Sequence, residues 1–94
     1  MEGFDVIGEA ADGASALARA RELRPAIALV DIHLPDIDGL ALAAQLAALV
    51  EPPAVVLISG HDVDGLERLL AHSGARGFIP KDELSRDAIE RLVP

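Results

Sequence analysis

The chain contains no cysteine, tryptophan or tyrosine, and its aromatic content is two phenylalanines. Without cysteine there is neither a disulfide nor a thiolate metal site, so packing must hold the fold. Scarce aromatics leave few platforms on which a nucleobase or a flavin could stack. Positive charge is also sparse: sixteen acidic residues face eight basic ones, a net charge of −8, and Lys81 is the only lysine. Binding to a nucleic-acid backbone needs clustered cations, so that class is excluded for this chain. No apolar run approaches the roughly 20 residues that cross a bilayer. The N-terminal Met1-Glu2-Gly3-Phe4-Asp5 lacks the basic and apolar regions of a secretory signal, so no membrane association is expected and the cytoplasm is the expected compartment.

What remains is an aliphatic chain of 94 residues, half of them hydrophobic, with no repeat and no low-complexity stretch. That length makes one small domain, taken here as residues 1–94. Phe4–Glu9 reads as a short strand. Ala14, Leu17, Ala18 and Leu23 then recur at helical spacing behind Asp12 as N-cap, and Pro25 ends that helix. Ala26–Val30 is a continuous apolar run that stops at Asp31, the pattern of a strand buried on both faces of a parallel sheet.

After the loop Asp31–Gly39, Asp38 caps a helix carrying Leu40, Ala43, Ala44, Leu46, Ala47 and Val50. Pro52-Pro53 breaks it, and Ala54–Ile58 is a second apolar strand, halting at Ser59. Val63, Leu66, Leu69 and Leu70 mark a further helix with Gly74 as its stop. Arg76–Ile79 is a last short strand leading through Pro80 to Lys81, and Leu84, Ala88, Ile89, Leu92 and Val93 mark the final helix.

The alternation of strand and helix predicts a parallel α/β sheet covered on both faces. In such sheets, sites form beyond the carboxyl ends of the strands. Three strands there end in Asp31, Ser59 and Lys81, so a carboxylate, a hydroxyl and an ammonium are expected to converge. A carboxylate can attack a phosphoryl group and carry it as an acyl phosphate. The ammonium would then supply a compact positive charge and the hydroxyl a directed hydrogen bond. Each residue alone has a plainer explanation, as a turn cap, a loop start or a solvated lysine; their joint placement favours the chemical one. His33, His61 and His72 show no metal-ligand spacing and read as loop or surface residues.

Val30–Gly39, with Asp31, Leu34-Pro35 and Asp38-Gly39, resembles the phosphoacceptor segment of response-regulator receiver domains. Gly77-Phe78-Ile79-Pro80-Lys81 is similar to their last strand, in the form found in regulators of the LuxR/NarL type, and Val6–Gly13 to their second strand and its turn. The resemblance spans nearly the whole chain. It implies a flavodoxin-like (CheY-like) doubly wound parallel sheet, here lacking the first strand and first helix. It implies Asp31 as the phosphorylated aspartate, Ser59 and Lys81 as the groups that hold the phosphoryl oxygens, and Phe78 at the aromatic switch position. Asp31 and the backbone carbonyl of His33 would be magnesium ligands. The family's acid pair lies on the absent segment, so magnesium binding is expected to be weakened or lost, and phosphorylation to be slow or absent.

The implied partner is a histidine kinase or phosphotransfer protein, and a second copy of the chain could fill the gap in the sheet. The function expected is that of a phosphoacceptor signalling domain and not an enzyme. The alternative is a degenerate receiver acting only as a protein-interaction module. A haloacid-dehalogenase reading fails because a second acid is wanted two residues after the nucleophile, where His33 stands. A flavodoxin-type flavin binder lacks its phosphate loop after the first strand.

Overall fold

The computed structural model describes residues 8–33, 35–60 and 73–93. Helix α1 spans Gly13–Leu23, β1 Ile27–Asp31, α2 Gly39–Ala47, β2 Ala54–Ser59, β3 Gly77–Pro80 and α3 Arg86–Leu92, with a single 3-10 turn at Lys81–Glu83. The expected strand over 4–9 falls for residues 4–7 outside the described residues, and Gly8 and Glu9 are not in a strand. The helix marked by Val63, Leu66, Leu69 and Leu70 also lies outside them, with His61 and His72; its expected stop, Gly74, has φ +77°.

The three described strands form one parallel sheet in the order β1-β2-β3. Both faces are apolar because neighbouring residues of β2 point in opposite directions. Val55 and Leu57 join Val30, Ile32, Leu42, Ala43, Leu46 and Ala20 in one buried cluster beneath α1 and α2. Val56 joins Ile79 and Ile89 in a second cluster, beneath α3. This is an α/β sheet with helices on both faces, as the alternation predicts.

Side-chain capping sets the start of each described α-helix. Asp12 accepts from the Ser15 N–H at 2.7 Å, Asp38 from the Ala41 N–H at 2.8 Å, and Ser85 from the Ala88 N–H at 3.1 Å. The first two were expected from the sequence; the third was not.

Several helix positions depart from expectation. The inward stripe of α1 is Ala16, Leu17 and Ala20, whereas Ala14 and Ala18 are exposed and Leu23 is only partly covered. In α2 it is Leu42, Ala43 and Leu46; Ala44 and Ala47 are exposed, and Val50, beyond the helix end, is fully so. Alanine causes the error, since it is as readily placed outside a helix as inside and blurs the apolar stripe. Strand β1 is not buried on both faces either: Val30 is buried, but Leu29 on the opposite side is 41 % exposed.

Candidate functional site

Parallel register brings the strand ends together. Asp31 aligns with Ile58, and Ser59 with Pro80, the residue before Lys81. Leaving β1, the chain continues the ladder for one residue, with the Ile32 N–H donating to the Ile58 carbonyl at 3.0 Å. It then turns back so that Gly39 donates to the Ile32 carbonyl at 2.8 Å, and His33 pairs with Asp38 in an antiparallel bridge. The loop after Asp31 is therefore closed on itself, with the start of α2 held against it.

That closure requires glycine at position 39. A Cβ there would run into the Asp31 carbonyl oxygen and lie 2.6 Å from the Ile32 Cα, both backbone atoms that cannot swing aside. Gly39→Ala is therefore expected to destabilise the domain by about 1–3 kcal/mol, typical of overpacking. It should also shift the backbone of Asp31 and Ile32. Urea unfolding, with amide chemical shifts of residues 31–33, measures both effects.

At the mouth of the loop, Lys81 Nζ lies 2.8 Å from Asp31 Oδ2, and the His33 N–H donates to Asp31 Oδ1 at 2.9 Å. Burial works to raise the Asp31 pKa, but the Lys81 hydrogen bond, the His33 N–H and the Lys81 charge together outweigh it, so the carboxyl titrates below its ordinary value. The carboxylate is thus charged at neutral pH. Asp31, His33, Gly60 and Lys81 line an open cleft at this edge.

Of the groups read from the sequence, the structure brings Asp31, Lys81 and the His33 backbone together. Ser59 ends β2 beside them, but it is 1 % exposed, and Gly60 takes its place in the cleft wall. Phe78, three residues before Lys81 on β3, is half-buried and packs against the larger core cluster.

Asp36 belongs to the same loop and was missed as a functional position. Its carboxylate accepts the Gly13 N–H at 2.7 Å and the Ala14 N–H at 3.1 Å, at the start of α1. These two bonds hold its pKa below the ordinary value. A carboxylate whose pKa is depressed on folding stabilises fully above its unfolded pKa, about 3.9, and loses that effect as pH falls through the folded value. Stability should therefore decline on acidification below about pH 4, and Asp36→Ala should be less stable at neutral pH with a shallower acid decline. Urea midpoints across that pH range check both features.

A family model for the response regulator receiver domain matches residues 1–93. The chain belongs to the response-regulator receiver family. Among curated proteins it is 39 % identical over 88 residues to the virulence-factor transcription regulator BvgA of Bordetella pertussis, covering 94 % of this chain and 42 % of that protein. The chain thus spans about two-fifths of the length of this relative. Among solved structures it resembles the signal receiver domain of the response regulator NarL from Mycobacterium tuberculosis. Identity there is 34 %, coverage 95 % of this chain and 75 % of that one, and the TM-score 0.81. It also resembles the CheX-CheY-BeF3-Mg complex from Borrelia burgdorferi, with identity 29 %, coverage 98 % and 69 %, and TM-score 0.80. The receiver fold is flavodoxin-like, and the described sheet conforms to it.

Magnesium typically accompanies receiver chemistry. Among the described residues no group of three or more His, Cys, Asp or Glu side chains could hold a metal ion. The cleft's own carboxylate, Asp31, is engaged by Lys81 and the His33 N–H. An octahedral magnesium ion usually takes one or two carboxylates with water and phosphate oxygens. Asp31 and one backbone carbonyl are only two ligands of an octahedral shell, so the described residues do not make such a site by themselves. Among the described residues, no helix is long and apolar enough to cross a membrane.

Proposed function

We propose that this receiver accepts a phosphoryl group on Asp31 from a histidine kinase or a phosphotransfer protein. The observation that carries the reading is the 2.8 Å Lys81–Asp31 pair at the edge of an open cleft. In the transfer, an Asp31 carboxylate oxygen bonds to phosphorus as the phosphorus–nitrogen bond to the donor imidazole breaks, and the electron pair leaves with the ring nitrogen. Lys81 shifts from the carboxylate to the incoming phosphoryl oxygens, where its ammonium offsets the added charge. Ser59, at the end of β2, is the hydroxyl assigned to a second phosphoryl oxygen. Phe78 reports the change, because it lies on β3, the short strand that leads directly into Lys81, and packs against the larger core cluster.

The expected ligands for magnesium in this chain are Asp31 and the His33 carbonyl. The protein works in the cytoplasm, where such donors act.

Incubation with acetyl phosphate and magnesium, followed by intact mass measurement, tests the proposal. A phosphate-sized increase is expected on the wild type and not on Asp31→Asn. No adduct at any magnesium concentration would leave a receiver that works only as an interaction module.

A further inference from the structure

The loop that follows Asp31 is fastened to a helix far away in the sequence. Asp36 and Gly13 are 23 residues apart, yet both Asp36 carboxylate oxygens are occupied by the first N–H groups of α1, those of Gly13 and Ala14. These donors have no partner within the helix. One acid from the helix's own flank normally suffices, and Asp12 already provides it through Ser15. The second acid comes from the loop, so the bonds it makes fix the loop as much as they cap the helix.

Packing reinforces the bonds. Ile37 lies over Gly13 so closely that a Cβ on that glycine would overlap the Ile37 Cγ2. Gly13 is buried at the start of its helix, and Ile37 joins the core cluster beneath α1 and α2. On its other side the loop is tied by the His33–Asp38 bridge and the Gly39 to Ile32 hydrogen bond. Between these ties stands the His33 N–H that donates to Asp31.

We infer that Asp36 is a positioning residue for Asp31: by clamping the loop to the start of α1, it holds the His33 backbone against the acceptor carboxylate. The inference rests on reading Asp31 as the phosphoacceptor, but its structural half stands apart from that. Asp36 touches neither Asp31 nor the incoming phosphoryl group. It acts through the loop, which α1 holds at Asp36 and the bridge to Asp38 holds at His33.

Two variants at the same helix end separate this role from simple capping. Asp36→Ala removes the loop's carboxylate, whereas Asp12→Ala removes the helix's own cap and leaves the loop bonds in place. Amide hydrogen exchange of His33, read by NMR, is the first measurement, and the rate of acetyl-phosphate adduct formation is the second. Both variants should lower the unfolding temperature. Only Asp36→Ala should speed His33 exchange, by roughly tenfold, as expected when a local segment opens without global unfolding. Its adduct rate should fall in step, while that of Asp12→Ala stays near the wild type.

If Asp36→Ala fails to fold, Asp36→Asn retains one amide oxygen to accept one of the two N–H groups and should give an intermediate acceleration. Equal His33 exchange in the two alanine variants, or wild-type exchange in Asp36→Asn, overturns the inference. A wild type that takes no phosphate rejects the acceptor reading instead, and the exchange data still decide whether the clamp exists.

Discussion

A Lys81→Met protein is expected to lose at least tenfold in the rate of adduct formation from acetyl phosphate while keeping nearly all of its stability. The rate falls because the phosphoryl oxygens then meet no fixed positive charge, and charge-assisted bonds are roughly twice as strong as neutral ones. Stability changes little because the pair is open to solvent, with side-chain exposures of 57 % for Lys81 and 32 % for Asp31. Pairs of that kind contribute about 0–1 kcal/mol. Methionine keeps the length of the aliphatic stem, so the comparison isolates the ammonium. Adduct kinetics beside urea unfolding on the same samples give both numbers.

The opposite profile is expected at Leu57. Its side chain is fully buried at the centre of the sheet, between Val30 of β1 and Phe78 of β3 in register. Leu57→Ala removes three buried carbons that the surrounding strands cannot close over, a change that costs about 2–5 kcal/mol. A domain of this size has a total of about 5–15 kcal/mol, so the unfolding temperature should drop by roughly 10 °C or more. The molecules that remain folded should still take phosphate at the wild-type rate, because the strand ends are untouched. Loss of stability without loss of chemistry at Leu57, beside the reverse at Lys81, would separate the sheet that places the site from the groups that act in it.

How much of this is visible in the chain depends on the distance over which each feature acts. The ends of β1 and β2 are legible, because a run of aliphatic residues stops at Asp31 and at Ser59. Once the strands are taken as parallel, Lys81 must arrive at the same edge, and it does. The caps Asp12 and Asp38 are equally plain, since a capping carboxylate bonds within three residues of itself.

Asp36 is not legible in that way. Its partners lie 22 and 23 residues earlier, and nothing periodic links them. The signal that could have found it is Gly13, a glycine inside the first turn of a helix whose missing Cβ makes room for Ile37. Ser59 shows a second limit. Its place at the strand end is readable, but its burial comes from the packing around β2, which the pattern of one strand does not contain. The helix faces of α1 and α2 were blurred for a third reason, because alanine sits on both sides of each.

The measurement that bears most directly on the central claim is chemical trapping of the acceptor. Borohydride reduces an acyl phosphate on aspartate to the alcohol, leaving homoserine at the modified position, which peptide mass spectrometry locates. After acetyl phosphate and magnesium, homoserine is predicted at position 31 alone. Its absence throughout the chain, or its appearance at another aspartate with Asp31 unchanged, would contradict the account.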